Sequence, residues 1–356
     1  MQETAALLSE EDLALVHALQ LRPRASWTVL GRALGVDPVT VARRWNRLAQ
    51  RGEAWILGSP GPRLFDHVCV AFVEVECAVG SAAGVIRALS GHAHALTIER
   101  PAGSHDLLVT VSTRDLLAMS RFTLDHLPAI EGVTAVRPRI VTHMFTEGGS
   151  WRISALDTGQ RAHLSEPLEE QRTRQGPMEI SPSDRSVLRL LAVDGRASYQ
   201  ALATALDTSA ATVKRRIDRL VRLGLITFRC DFARPLGGWP VAVAFWARVP
   251  PADLPEVGHA IVRYPETRNC AAVTGPCNLI VEASLHSLAD VLRFEMRLAT
   301  RHPTLAVVDR SVMLRQEKLL GHLLDPHGRS LGVVPADLWS APGTPATEHR
   351  RAARLV

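Results

Sequence analysis

Two stretches of the chain carry apolar residues at helical spacing, and each is followed by strand-sized apolar blocks. In the later stretch, Val187, Leu188, Leu190 and Leu191 mark one helix, Leu202 and Leu206 a second, and Val213, Ile217 and Leu220 a third. Their ends are signalled as well. Ser181-Pro182-Ser183-Asp184 offers a hydroxyl cap, a proline at the first helical position and a carboxylate at the third, while Ser198 and Ser209 can cap the next two helices. Asp194-Gly195 ends the first helix, and Gly224-Leu225-Ile226 with Thr227-Phe228 predicts a strand or wing after the third.

The earlier stretch is the same pattern in different residues. Residues 24–52 align without a gap on residues 196–224, 172 positions later, with 13 of 29 identical. Here Asp37-Pro38 replaces Ser209 as the cap, and Val41, Trp45 and Leu48 take the inward positions. The same offset sets Gly103-Ser104-His105-Asp106 opposite Gly275-Pro276-Cys277-Asn278. So long a period means a tandem duplication of a two-part unit, not a solenoid.

The second part of each unit predicts β-α-β-β-α-β. In the first copy the elements are residues 68–79, 82–90, 95–100, 107–112, 115–127 and 133–142; in the second they are 240–249, 253–264, 267–273, 279–284, 288–300 and 305–315. That order is ferredoxin-like. The expected class is α+β, a tandem repeat of winged helix-turn-helix and ferredoxin-like domains, with heads at 8–60 and 180–233 and α/β domains at 64–146 and 236–322. Residues 147–179 read as a polar surface linker, and 326–356 as a fraying tail. One sheet face of such a domain is left open, and pairing of the two halves would cover it.

Composition adds limits. A chain of 356 residues with 46% hydrophobic content can bury a large core. Five cysteines without a C-x-x-C pattern indicate neither a disulfide framework nor a zinc site. The start, MQETAALLSEEDLAL, is acidic where a secretory leader is basic, and no run of about 18 apolar residues occurs, so a cytoplasmic protein is expected. The net charge of +5 permits a nucleic-acid partner without requiring one. Where the charge lies is more informative. Lys214, Arg215, Arg216 and Arg219 crowd the third helix of the second copy, and Arg43, Arg44 and Arg47 that of the first. A basic third helix after a tight turn is the arrangement that enters a major groove. Thr212, Lys214 and Arg215, with Thr40 in the first copy, are candidates for the base edges; Arg216, Arg219, Arg43, Arg44 and Arg47 would grip phosphate or brace the head.

At this point the order resembles a known family. A helix-turn-helix followed by βαββαβ with a Gly-x-x-Asp turn is similar to the Lrp/AsnC feast/famine regulators, here in a fused double version. Asp12, Arg24-Ala25-Ser26, Leu30, Leu34, Val41, Arg44, Leu48 and Gly52 carry the likeness in the first head. In the second it lies in Asp184, Asp194-Gly195-Arg196, Leu202-Ala203, Leu206, Ser209, Val213, Arg216-Ile217, Arg219-Leu220 and Gly224-Leu225-Ile226. The first head departs from the pattern with Arg22-Pro23 for Asp-Gly and Glu53-Ala54 for an apolar pair. The resemblance implies binding to double-stranded DNA, a homo-oligomer, and a small-molecule effector such as an amino acid held near Gly103, His105 and Asp106, and near Gly275, Cys277 and Asn278, where Asn278 replaces the acid.

An alternative is kept. Fused pairs of such units also resemble the sirohaem decarboxylases, which use His and Arg around a tetrapyrrole, and His92, His94, Arg100 and His105 lie close together in sequence. The His-Cys-Tyr-Glu-Arg type of run is missing; the text is HALTIERPAGSHDLL. His92-x-His94 puts two imidazoles on one strand face without a third ligand, so neither metal nor cofactor is expected. Trp27, Trp45, Trp55, Trp239 and Trp246 are expected in cores or interfaces.

Overall fold

The computed structural model describes residues 6–65, 67–164, 180–342 and 349–350. The first head contains α1 (Glu10–Leu21), α2 (Trp27–Leu34), α3 (Pro38–Gln50) and β1 (Ala54–Pro60), followed by a short α4 (Pro62–Phe65). The first α/β domain contains β2 (Cys69–Cys77), α5 (Ala82–Ser90), β3 (Ala95–Ala102), β4 (Leu107–Thr113), α6 (Leu116–Ser120) and β5 (Val133–Thr146). After α7 (Thr158–Leu164) the second head supplies α8 (Pro182–Val193), α9 (Tyr199–Ala205), α10 (Ala210–Arg222) and β6 (Ile226–Phe232). The second α/β domain is β7 (Val241–Arg248), α11 (Leu254–Ile261), β8 (Thr267–Val273), β9 (Leu279–Leu285), α12 (Ala289–Arg301) and β10 (Ala306–Leu319), extended by β11 (His322–Leu324) and β12 (Ser330–Val333).

The caps read from sequence form as expected. Ser181 and Asp184 make a reciprocal capping box on α8, and Asp37 and Ser209 cap α3 and α10; Ser9 and Asp12, not among the caps read from sequence, make the same box on α1. Asp115 caps α6 by accepting from the Ala118 amide at 2.7 Å, but the helix continues through Arg121–His126 as a π-helical turn, which the apolar pattern does not reveal.

Each domain's sheet runs antiparallel, β3-β4-β2-β5 and β8-β9-β7-β10. The two join edge to edge at β5:β8 and β3:β10, so eight strands close into a ring with no free edge. The helices cover its outside over two apolar cores, one including Val85, Leu89 and Phe122, the other Ile261, Phe294 and Leu298. The faces left open by the ferredoxin-like order cover one another inside the ring around Phe72, Leu108, Trp246, Ile280 and Met313.

The wings differ from the expectation. β1 and β6 do not serve their own heads separately but pair with each other along their whole length, Ala54 opposite Phe232 through Pro60 opposite Ile226. This two-stranded ribbon ties the heads together above the ring.

Two expected surface segments are packed instead. Residues 147–164, from the expected linker, bury Trp151, Ile153, Leu156 and Leu164 against the first head. Their backbone is satisfied there: His17 Nδ1 accepts from the amides of Ala155 and Leu156 at 3.1 and 3.0 Å, and Gln20 Oε1 accepts from that of Ile153 at 3.0 Å. In the expected tail, Val334 and Leu338 are buried, and Arg185 lies 5.3 Å over the Trp339 ring. The rest of these two calls, residues 165–179, 343–348 and 351–356, lies outside the described residues.

Candidate nucleic-acid interface and interior chamber

The third helix of each head turns one side to its core and the other outward. Val41, Trp45 and Leu48 of α3 are buried, as are Val213, Ile217 and Leu220 of α10. The basic residues divide into two groups. Arg44 and Arg47 pair with the capping-box carboxylate of Asp12, and Arg44 also with Glu11. Arg216 and Arg219 likewise pair with Asp184, at 3.5 and 2.5 Å. Burial alone would raise the Asp184 carboxyl, but hydrogen bonds from Arg219 and Ser181 hold it below the usual carboxylate range. Each of these four arginines thus has a carboxylate of its own head as partner.

Arg43 and Arg215, equivalent under the repeat, are exposed and make no ion pair or hydrogen bond among the described residues. Lys214 is exposed too, but its amine is held by Asp218 at 2.7 Å. Thr212 Oγ1 shares a hydrogen bond with the Ser209 cap at 2.9 Å, and both Thr40 and Thr212 are half-buried.

Sequence reasoning missed the clasp between the heads. Arg196 donates to the carbonyls of Pro23 and Ala25 at 2.7 and 2.9 Å and lies 3.9 Å over the Trp27 ring. Arg24 returns the contact, donating to Gly195 and Ala197 and lying 5.1 Å over Tyr199. The repeated Arg-Ala-Ser followed by an aromatic was the available signal. Burial, and then repulsion from Arg24, lower Arg196 to about 10, so it stays charged near neutrality.

The Gly-x-x-Asp/Asn turns are occupied by their own strands. Asp106 accepts from the Cys77 amide at 2.7 Å, and Asn278 both accepts from and donates to the Val249 backbone, at 2.9 and 2.7 Å. His105 and Cys277 point into the buried interior, Gly103 backs onto Ser311, and Gly275, at φ 112°, packs against Arg139. The six residues are thus divided between two turns whose polar groups tie down the hairpins.

A more chemical constellation lies between the ring and the ribbon. A cavity of about 90 Å³ is lined by Glu99 of β3, Asn269 and Arg268 of β8, Glu282 of β9, Gln316 of β10, Arg234, Glu147, and Ser59 and Arg229 of the ribbon. Asp231 bonds Arg229 at 2.8 Å and Arg268 at 3.3 Å, and Glu147 bonds Arg229 at 2.8 Å. Those charges are mutually satisfied. Arg234 donates to Ser284 and to Gln316, and Gln316 donates to Glu99 at 2.7 Å; Glu282 accepts from Asn269 through Oε2 alone. Burial, then the neighbouring Glu282 carboxylate, push the Glu99 carboxyl up to about 8, and burial raises Glu282 also.

The residues of the tetrapyrrole alternative do not line this chamber. His94 is buried with Nδ1 at 3.1 Å from the Ser112 carbonyl, and His92 and His94 both abut Phe122. Arg100 pairs with Glu317 at 3.8 Å. A larger groove, about 490 Å³, runs along β5 and contains none of the four.

Comparison with known proteins finds matches along the chain. An AsnC-type helix-turn-helix domain matches residues 8–49, a winged helix-turn-helix DNA-binding domain matches 180–227, and the Lrp/AsnC ligand binding domain matches twice, at 70–151 and 243–321. An uncharacterized HTH-type transcriptional regulator of Pyrococcus horikoshii is 27% identical over 142 residues, 40% of this chain and 90% of that protein. An HTH-type transcriptional regulator of Mycobacterium tuberculosis is 30% identical over 151 residues, 41% of this chain and 95% of that protein. Among solved structures, the siroheme decarboxylase NirDL superposes with a TM-score of 0.56 over 88% of this chain and 93% of its own, at 11% identity, a likeness of fold alone. With two helix-turn-helix heads and two ligand-binding domains in one polypeptide, the chain belongs to the Lrp/AsnC family of helix-turn-helix transcriptional regulators, as a fused double unit.

Proposed function

We propose that the chain is a sequence-specific DNA-binding regulator in which one polypeptide supplies the two heads that a pair of ordinary family subunits would supply. The observation that carries this reading is the pairing of the heads: the reciprocal Arg24 and Arg196 clasp and the β1:β6 ribbon hold α3 and α10 in one fixed relation. Two recognition helices at a set separation read half-sites at a matching spacing, and divergence between the heads suits an asymmetric operator. Arg43 and Arg215 are exposed cations without an ion pair among the described residues and make the main contacts, with Thr40, Thr212 and Lys214 beside them.

Regulation by a small molecule, an amino acid or a relative of one, acts through the α/β domains, and Leu116, Leu124, Leu288, Leu292 and Met296, exposed at their surface, favour assembly of several chains. The enzyme reading is the weaker because its histidines and arginine are spread over separate contacts. Titrating DNA from upstream of the chain's own gene, against a scrambled duplex, tests the proposal; equal affinity for both defeats it.

A further inference from the structure

The outward sides of the two recognition helices are not copies of one another. Where α10 carries Lys214 and Arg222, α3 carries Ala42 and Gln50, and the caps are Ser209 against Asp37. With Asn46 opposite Asp218 as well, the second helix stays ahead by two formal charges: Asp37 alone in the first set, against Lys214, Arg222 and Asp218 in the second. What α3 has in place of charge is Val39, which is 75% exposed where α10 has Ala211. A valine there costs helix propensity relative to alanine and buries nothing within its own head. Asp37 Oδ1 accepts from the Val39 amide at 2.8 Å, and a β-branched side chain in a helix keeps essentially one rotamer, so the two γ-methyls stand in one fixed place. Single apolar side chains are common on surfaces. This one lies one turn before the exposed Arg43, four positions on and on the same face of the helix.

We infer that Val39 reads the C5-methyl group of thymine, and that the two heads divide the work: the first selects by methyl contact, the second grips by charge. The inference rests on the DNA-binding reading above and deepens it by naming the base and the head. In the major groove the thymine methyl is the group of a base edge that an aliphatic side chain can recognise. A phosphate offers no such contact. Ala42 and Gln50 leave phosphate-neutralising charge off the first helix, so more of its affinity comes from base edges and less from the DNA backbone. Ala211, lacking both γ-methyls, offers less to a thymine, while Lys214 and Arg222 add cations to the second helix. The operator is then lopsided, with one half-site that needs its thymine methyls and another that tolerates their loss.

The test is fluorescence anisotropy of the full chain on DNA from upstream of its own gene, prepared once with thymidine and once with deoxyuridine, which removes only the methyls. The unaltered chain should bind the uracil duplex about fourfold more weakly for each methyl packed on Val39, the effect of burying roughly one methylene. Val39→Ala should bind the thymine duplex as weakly as the unaltered chain binds the uracil one, and should hardly distinguish the two. Alanine is the better helix former, so loss of fold does not enter. Restoring thymine one position at a time should return the affinity within one half-site only. Specific binding that is equal on the thymine and uracil duplexes overturns the inference. So does a methyl preference that Val39→Ala leaves intact, or one spread evenly over both half-sites. Equal affinity for the native and a scrambled thymine duplex is the separate signature of a failed regulator reading, and the inference falls with it.

Discussion

Asp184 holds three residues at once, so its removal is a sharp test of how the second head is built. Its side chain is 1% exposed, accepts from the Ser181 amide at 3.0 Å and hydroxyl at 2.8 Å, and pairs with Arg219 at 2.5 Å and Arg216 at 3.5 Å. Asp184→Ala loses the returning half of the capping box, about 1 kcal/mol. It also loses charge-assisted bonds worth about 1.5–3 kcal/mol when buried. The arginines are 28% and 40% exposed and recover water, which reduces the second figure. The expected loss is about 2–4 kcal/mol, felt in α10 as well as α8, because the braces of the third helix go with it. In the first head Glu11 remains beside Arg44, so Asp12→Ala should cost less by about 1 kcal/mol. Amide hydrogen exchange of the two helices in each head measures both. A loss in the second head below about 0.5 kcal/mol, the range of an ordinary surface substitution, would refute the bracing role.

Other expectations follow from the same contacts. Arg43→Ala with Arg215→Ala should weaken DNA binding and lower the slope of log affinity against log salt by about 2, as the loss of two phosphate-neutralising charges requires; unchanged titrations would remove these residues from the interface. Arg196→Ala should destabilise the clasp by about 2 kcal/mol and loosen the heads, seen as a broadened distance distribution between labels on α3 and α10; an unaltered distribution counts against the clasp. Burial, with the nearby Arg161 and Arg152, lowers His17 to about 4, below its ordinary 6.5. The unfolded chain therefore takes the proton first, and stability should fall as pH drops from 6.5 towards 4, a dependence that His17→Gln should flatten in denaturant titrations at several pH values.

Much of this was legible because the signals are local. The caps of α8, α9 and α10 and the inward series Val213, Ile217 and Leu220 lie within a few turns of one another, and duplication let each head confirm the other. The strand order was readable for the same reason. Residues 147–164 were not, since Trp151, Ile153 and Leu156 follow neither a helical nor a strand period and gain their burial only by docking on α1 and the first head. The basic series could not be divided between arginines held by carboxylates and exposed cations without the position of Asp12 and Asp184, residues distant in sequence. The chamber was hidden most completely. Glu99 and Gln316, bonded at 2.7 Å, are 217 positions apart, and only the lone acid in the apolar strand Leu279–Leu285 hinted at a buried charge.

The central claim is that paired heads read a specific DNA sequence, and fluorescence anisotropy across salt concentrations tests it most directly. The full chain should bind DNA from upstream of its own gene tightly and with a steep salt slope, bind a scrambled duplex far more weakly, and lose that preference in the Arg43→Ala, Arg215→Ala variant. Equal affinity for the two duplexes, unaffected by the two substitutions, would contradict the account.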